Sequence, residues 1–156
     1  MFQNAKDIAN AALRLIELAE APEIAQNKEL ASTIELAAAI MATHVQDWHY
    51  LNRGLKSELT DKDRHDFKSA YLTFDTLRLI ANGTKHPVAK YPDISSAASR
   101  EPEWEDDEFW NSVPGTSQLF VEVNGKQRGV RALTWGFCKQ FLSHSEQGTL
   151  KARPSN

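Results

Sequence analysis

The sequence contains a single cysteine, Cys138, and the absence of a second one excludes an internal disulfide. Cys138 lies in the apolar stretch Trp135-Gly136-Phe137-Cys138, which favours a packed thiol over a nucleophile. No apolar run approaches the roughly 18 residues that a membrane-spanning helix needs, and residues 1–7 lack the charged-then-apolar pattern of a signal peptide. We therefore expect a cytoplasmic protein that does not enter a membrane.

The sequence has no excess of basic residues, with 18 lysines and arginines against 21 acidic residues and a net charge of −3. This balance argues against bulk binding to a polyanion. The length of 156 residues favours one domain. We expect that domain to span residues 1–145, with a long loop at 87–118, and we expect residues 146–156 to form a polar tail.

The common catalytic motifs are also missing. There is no Gly-x-Ser-x-Gly, no glycine-rich phosphate loop, no His-Glu-x-x-His and no paired-cysteine motif. His44 and His49 are five residues apart, past the four-residue spacing that aligns two ligands on a helix. We therefore expect no metal, no cofactor and no hydrolase triad.

Apolar residues recur with the helical period in four segments, at about 4–21, 28–51, 61–82 and 132–144. Between the last two, Asn124-Gly125 separates two β-rich stretches and predicts a tight hairpin. Gly83 predicts the end of the third helix, through a left-handed residue. The sequence thus predicts a mainly α fold, a four-helix up-and-down bundle with a small β-hairpin between helices three and four.

The predicted loop contains an acidic and aromatic run from Glu101 to Trp110. A loop of this length inside a domain is usually functional or disordered. Its large aromatic residues argue against disorder throughout, so we expect Trp104, Phe109 and Trp110 to be buried against the bundle or a partner. Acidic side chains can imitate phosphates when the target binds nucleic acid. This predicts a contact surface of Trp104, Glu105, Asp106, Asp107 and Trp110.

Arg78 falls inside the apolar stripe of the third predicted helix, four residues after Phe74 and seven after Tyr71. A buried guanidinium without a partner is costly. We therefore expect Arg78 to reach a polar group of the second helix, for which Asp47 is the best candidate, or a second subunit.

The second predicted helix contains His44-Val45-Gln46-Asp47-Trp48-His49. Asp47 is three residues from His44 and could orient its imidazole, while Trp48 shares a face with His44. A buried, satisfied histidine explains this spacing as well as a binding site does. His49 lies off the stripe and is expected to be solvated.

Arg78, Asn82, Lys85 and His86 cluster at the end of the third predicted helix. Arginine can hold a phosphate with two hydrogen bonds, and histidine can move a proton near neutral pH. Arg78, Asn82 and His86 could therefore cleave RNA without a metal, with Lys85 binding the substrate. A helix terminus with two favourable cations explains Lys85 and His86 equally well.

At these residues the chain resembles the HEPN superfamily, and within it a phage- and prophage-associated branch. The resemblance rests on the His-x-x-Asp-Trp pattern at 44–48 and on Leu-Arg-x-Ile-Ala-Asn-Gly-x-Lys-His at 77–86. It implies a helical bundle, and in the nuclease members a metal-independent endoribonuclease whose site forms across a homodimer. In those members a polar residue follows the arginine, and the gap to the histidine is four to six residues. Here Leu79 follows Arg78, and seven residues separate Arg78 from His86.

Two functions remain open from the sequence. The displaced motif and the negative charge favour a non-catalytic interaction protein of a prokaryotic toxin–antitoxin, antiviral-defence or phage counter-defence system, with a protein partner. The arginine in the apolar stripe favours the alternative, a metal-independent HEPN-type endoribonuclease that acts on RNA as a homodimer.

Overall fold

The fold comes from a computed structural model that describes residues 2–51, 58–85, 94–107, 110 and 116–146, without the side chains of 84, 85 and 94–96. This part of the chain is mainly helical and carries a small three-stranded antiparallel sheet. The elements are, in order, α1 (Ala5–Glu20), α2 (Pro22–Ala25), α3 (Lys28–Leu51), α4 (Asp61–Ala70), α5 (Phe74–Lys85), β1 (Ile94–Arg100), β2 (Gln118–Val123), β3 (Lys126–Gly129) and α6 (Val130–Glu146). The predicted four-helix up-and-down bundle is not confirmed.

The first two predicted helices agree closely with α1 and α3. The Asn4 side chain caps α1 by accepting hydrogen bonds from the backbone N–H groups of Lys6 and Asp7. Helices α1 and α3 pack more extensively on each other than any other two elements. Ala38, Ala39 and Ala42 of α3 have no solvent exposure, and such small side chains allow α1 to approach closely.

The third predicted helix is in fact two helices, α4 and α5, and this corrects the prediction. Tyr71, with φ −130° and ψ 85°, leaves the helical conformation between them. The break brings the Phe67 ring edge-on to that of Phe74, with centroids 4.8 Å apart. Helix α5 then passes through Gly83 to Lys85, so Gly83 does not end the helix as predicted.

The predicted hairpin is confirmed as β2 and β3, which pair antiparallel. Asn124 and Gly125 have φ values of 53° and 76°, the positive values that a two-residue type I′ turn requires. The predicted loop 87–118 was wrong in part, because β1 lies within it and pairs antiparallel with β2. The sheet order is therefore β1-β2-β3, and the hairpin belongs to a larger sheet.

Helix α6 follows β3 directly and carries aromatic residues into the core. Phe137 and Phe141 are buried and pack against Phe67 and Tyr71. Cys138 is also fully buried, and its burial raises the pKa of the thiol to about 12. This confirms the predicted packed thiol. Of the described helices, none is long and apolar enough to cross a membrane.

Candidate interaction surface and the predicted site residues

Arg78 is not buried, and its partner is not Asp47. Its side chain is 41% exposed, and its Nη2 lies 3.0 Å from Oδ1 of Asp75, one turn earlier on α5. The buried stripe of α5 consists of Phe74, Leu77, Ile80 and Ala81, and Arg78 lies at its edge. The apolar spacing predicts Arg78 inside the buried stripe, whereas the structure has it beside the stripe. Arg78 therefore forms an ion pair within α5 and not the predicted bridge to another helix.

Asp75 is shared by two cations, since Lys68 Nζ lies 2.8 Å from the same Oδ1 atom. Partial burial opposes ionisation of this carboxyl group, but hydrogen bonds from Lys68 and Arg78 outweigh it and lower the pKa of Asp75. Asn82 is half-buried on the same helix. The Lys85 side chain and the whole of His86 lie outside the described residues, so the predicted cluster is described only at Arg78 and Asn82.

The histidines of α3 have exchanged their predicted environments. His44 is exposed, whereas His49 is half-buried, with its ring centroid 5.7 Å from that of Phe141. The reason is that the buried face of α3 is rotated from the face that the sequence predicts. The buried residues of this helix are Ala31, Glu35, Ala38, Ala39, Ala42, Val45 and Gln46. Asp47 and Trp48 flank this face and are half-buried. His44 is therefore not the buried, satisfied histidine that its spacing from Asp47 and Trp48 allowed.

The acidic and aromatic segment has a defined structure at its start, where β1 ends. The Arg100 guanidinium donates two hydrogen bonds to Asp106, of 2.8 Å to Oδ2 and 2.7 Å to Oδ1. Its Cζ atom also lies 3.6 Å from the ring centroid of Phe120 in β2. Arg100 thus connects the segment to the sheet through a two-pronged ion pair and a cation–π contact.

Asp106 closes a tight turn around Trp104. Its Oδ2 accepts a 2.6 Å hydrogen bond from the Glu103 N–H, and its own N–H donates to the Glu103 carbonyl at 2.9 Å. The hydrogen bonds from Arg100 lower the pKa of Asp106, so the carboxylate stays ionised to a lower pH than an ordinary aspartate does. We call residues 100–107 the Trp104 turn.

The Trp104 turn exposes an indole ring. Trp104 is 75% exposed, and Trp110 is 88% exposed. The prediction that these side chains pack on the bundle was wrong, and only the predicted packing on a partner remains for them. Phe109 lies outside the described residues. The other exposed residues of the turn are acidic, namely Glu101, Glu103, Glu105 and Asp107.

The predicted surface residues therefore have different roles. Trp104 and Glu105 face solvent, whereas the Asp106 side chain is only 8% exposed and holds the turn together. Asp107 is exposed, and its carboxylate lies 4.0 Å from Lys126 Nζ of β3. Asp106 is thus a structural residue, and of the predicted contact surface Trp104, Glu105, Asp107 and Trp110 are the exposed members.

We expect the Trp104 turn to lose its order in acid. The pKa of Asp106 is lowered in the folded protein. The ionised carboxylate therefore stabilises the turn at every pH above the ordinary aspartate pKa of about 3.9. That contribution is lost as the pH falls through the lowered pKa. Fluorescence anisotropy of Trp104, in a variant whose other tryptophans are phenylalanine, should therefore fall below about pH 4.

Asp106→Asn provides the control for this titration. It removes the ionisable group, so its Trp104 anisotropy should already be low at pH 7 and should show no step in acid. Far-UV circular dichroism recorded in parallel separates loss of the turn from global unfolding. Wild-type anisotropy that stays constant until the helices unfold would contradict this role of Asp106.

Sequence reasoning missed a buried ion pair between α3 and α6. Arg131 Nη2 lies 2.6 Å from Glu35 Oε1, and these residues are 5% and 1% exposed. Glu35 Oε2 accepts a 2.7 Å hydrogen bond from the Leu119 N–H of β2, and Arg131 also donates to the Ser117 carbonyl at 2.9 Å. Burial raises the pKa of Glu35, which Arg131 only partly offsets. The sequence feature that could have predicted this ion pair is Glu35, a glutamate among the apolar residues of the buried face of α3.

This ion pair fixes the strand that supports the Trp104 turn. Glu20 of α1 adds a second carboxylate 3.6 Å from Arg131 Nη1. Gln118 of β2 is also buried, and its Oε1 accepts a hydrogen bond from the Ala132 N–H at the start of α6. These contacts join α1, α3, β2 and α6, so the position of the sheet depends on them.

Comparison with known proteins found no matching family model, no matching curated protein and no matching solved structure.

Proposed function

We propose that this protein is a non-catalytic interaction protein whose partner binds the Trp104 turn. The observation that carries the proposal is the 75% exposure of Trp104 on a turn held by the Arg100–Asp106 ion pair. Large aromatic residues are frequent anchors at interfaces, because their burial contributes much of the binding energy. A turn that is already ordered loses little conformational entropy on binding, which further favours association.

The charge of the turn indicates the chemistry of the partner. Glu101, Glu103, Glu105 and Asp107 surround Trp104 and are exposed, so the surface is acidic. Opposite charges accelerate association and exclude partners of like charge. The partner is therefore a protein with a basic surface, and a nucleic-acid-binding protein fits because carboxylates can occupy the positions of its phosphates.

The resemblance to the HEPN superfamily supports a biological setting for this interaction. We propose that the protein belongs to a prokaryotic toxin–antitoxin, antiviral-defence or phage counter-defence system. The predicted homodimer stays a prediction of that resemblance.

The ribonuclease alternative receives less support from the described residues. Its arginine, Arg78, already pairs with Asp75, and Lys68 pairs with the same carboxylate. An arginine held by a carboxylate is less free to bind a phosphate. His86, the proposed general acid and base, lies outside the described residues, so the chemical test must be direct.

The experiment compares two charge-reversal variants as baits in extracts of a prokaryotic host. Glu103→Lys/Glu105→Lys alters the turn, and Glu17→Lys/Glu23→Lys makes the same change in charge at exposed positions of α1 and α2. We expect the first variant to lose a partner that the wild type and the second variant retain. With the purified partner, the first variant should associate more slowly and with a weaker dependence on salt.

An RNA cleavage assay in excess EDTA completes the test. Wild-type protein that leaves structured and single-stranded RNA intact agrees with the proposal. Cleavage that yields a 2′,3′-cyclic phosphate and is lost in His86→Ala would overturn it in favour of the endoribonuclease. Equal loss of the partner in both charge-reversal variants would also contradict a contact at the turn.

A further inference from the structure

We infer that the partner binds by adding an extended basic segment to the open edge of β1, so that a fourth strand extends the sheet beside the Trp104 turn. This inference rests on the proposed function and names the form of the partner. Main-chain hydrogen bonds give such strand addition its affinity, and side chains that alternate along the added strand give it specificity.

The first observation is the position of β1 in the sheet. Within the described residues, β1 pairs with β2 on one side and with no strand on the other. The register is irregular between Ile94 and Ala97, and it is regular from Ala97 to Arg100, where four consecutive residues pair with β2. Among the described residues, no strand pairs with the outward edge of residues 97–100, which is where the added strand would pair.

The second observation is the composition of this edge. Proteins commonly protect edge strands with lysine, proline or inward-pointing charges, which prevent pairing with other chains. β1 reads Ile-Ser-Ser-Ala-Ala-Ser-Arg and has no lysine or proline. Its one charged residue, Arg100, is held by Asp106, and its irregular register is confined to the stretch between Ile94 and Ala97. Ala97 and Ala98, whose side chains alternate between the two faces of the strand, are both exposed.

The third observation is the continuity of this edge with the acidic turn. Arg100 is both the last residue of β1 and the residue that holds Asp106. A strand that pairs along residues 97–100 therefore reaches Arg100, the residue at which the Trp104 turn with Glu101 and Glu103 begins. Lysine or arginine in the segment would complement the carboxylates of Glu101 and Glu103, which selects a basic segment over an acidic one. The strand edge selects an extended segment over a helix.

The test uses the full chain and three capped nine-residue peptides as probes. The first peptide alternates threonine and lysine, which favours an extended and soluble chain. The second replaces every lysine with glutamate. The third keeps threonine and lysine but carries N-methyl groups on the amides of both edges, so that it cannot donate backbone hydrogen bonds to β1 in any orientation. Binding is followed by amide hydrogen exchange and by the emission of Trp104 in the full-length variant whose other three tryptophans are phenylalanine.

We expect the threonine–lysine peptide to bind and to slow exchange at residues 97–100. The N-methylated peptide should bind at least about tenfold more weakly, because two or more hydrogen bonds of about 1 kcal/mol each are lost. The threonine–glutamate peptide should bind more weakly than either. Glu103→Lys/Glu105→Lys should weaken the threonine–lysine peptide, and Glu17→Lys/Glu23→Lys should not.

Two results would overturn strand addition. One is equal binding of the methylated and unmethylated peptides, with a response of Trp104 but no protection of β1. The other is the absence of threonine–lysine binding at millimolar peptide. Neither bears on the proposed function, which depends on loss of the natural partner in the capture experiment. If the capture experiment contradicts a contact at the Trp104 turn, by contrast, both the proposed function and strand addition are overturned.

Discussion

Arg131→Leu is expected to lower the free energy of unfolding by about 3–5 kcal/mol, as is usual when one member of a buried ion pair is removed. The Glu35 carboxylate is 1% exposed and would remain in the core with only its hydrogen bond from the Leu119 N–H. Urea denaturation measures the change, and a constant m-value shows that the denatured state is unaffected.

Two further variants make this result specific. Glu35→Gln/Arg131→Leu removes the lone charge and retains an acceptor for the Leu119 N–H, so it should be clearly more stable than Arg131→Leu. The matched control is Arg64→Leu, because Arg64 pairs with Asp61 at the surface, with 52% and 104% side-chain exposure. Its cost should stay within about 1 kcal/mol. Similar losses for Arg131→Leu and Arg64→Leu would contradict the role assigned to the buried pair.

The pH dependence of Arg131→Leu follows from the same pair. Burial already raises the pKa of Glu35 with Arg131 present, and removal of the guanidinium raises it further. A group whose pKa is raised on folding destabilises the fold progressively as the pH rises above its unfolded value, about 4.3 for glutamate. The difference between Arg131→Leu and Glu35→Gln/Arg131→Leu should therefore shrink as the pH falls toward 4.

Trp104→Ala is expected to weaken binding of the partner by about 30- to 1000-fold, which corresponds to the 2–4 kcal/mol typical of a buried aromatic anchor. The ring is 75% exposed in the free protein, so its removal should leave the free energy of unfolding almost unchanged. Calorimetry or surface plasmon resonance with the captured partner measures the affinity, and most of the change should appear in the dissociation rate.

Leu72→Ala is the matched control for Trp104→Ala. Leu72 is 83% exposed at the break between α4 and α5, so the substitution also removes an exposed apolar side chain. Its affinity for the partner should equal that of the wild type. An intermediate loss is expected for Asp106→Ala, which keeps the indole but removes the carboxylate that orders the turn. A change of less than threefold in Trp104→Ala would contradict the anchor.

The sequence by itself determined the elements whose cause is local. The period of apolar residues defined α1, α3 and α6 to within two residues at each end, and Asn124-Gly125 defined the hairpin. These features depend on side-chain spacing and on backbone preferences, and both are properties of residues that are close together in the sequence. The acidic and aromatic run was also visible, although its ordered turn was not.

The tertiary structure decided what depends on distant residues. The break at Tyr71 leaves the apolar spacing intact on both sides, and β1 is a strand only because β2 pairs with it. The partner of Arg78 was misplaced because a small rotation of a helix moves a side chain from its buried stripe to its edge. Glu35 and Arg131 lie 96 positions apart, and only the packing of α3 against α6 and β2 brings their charges together in the core.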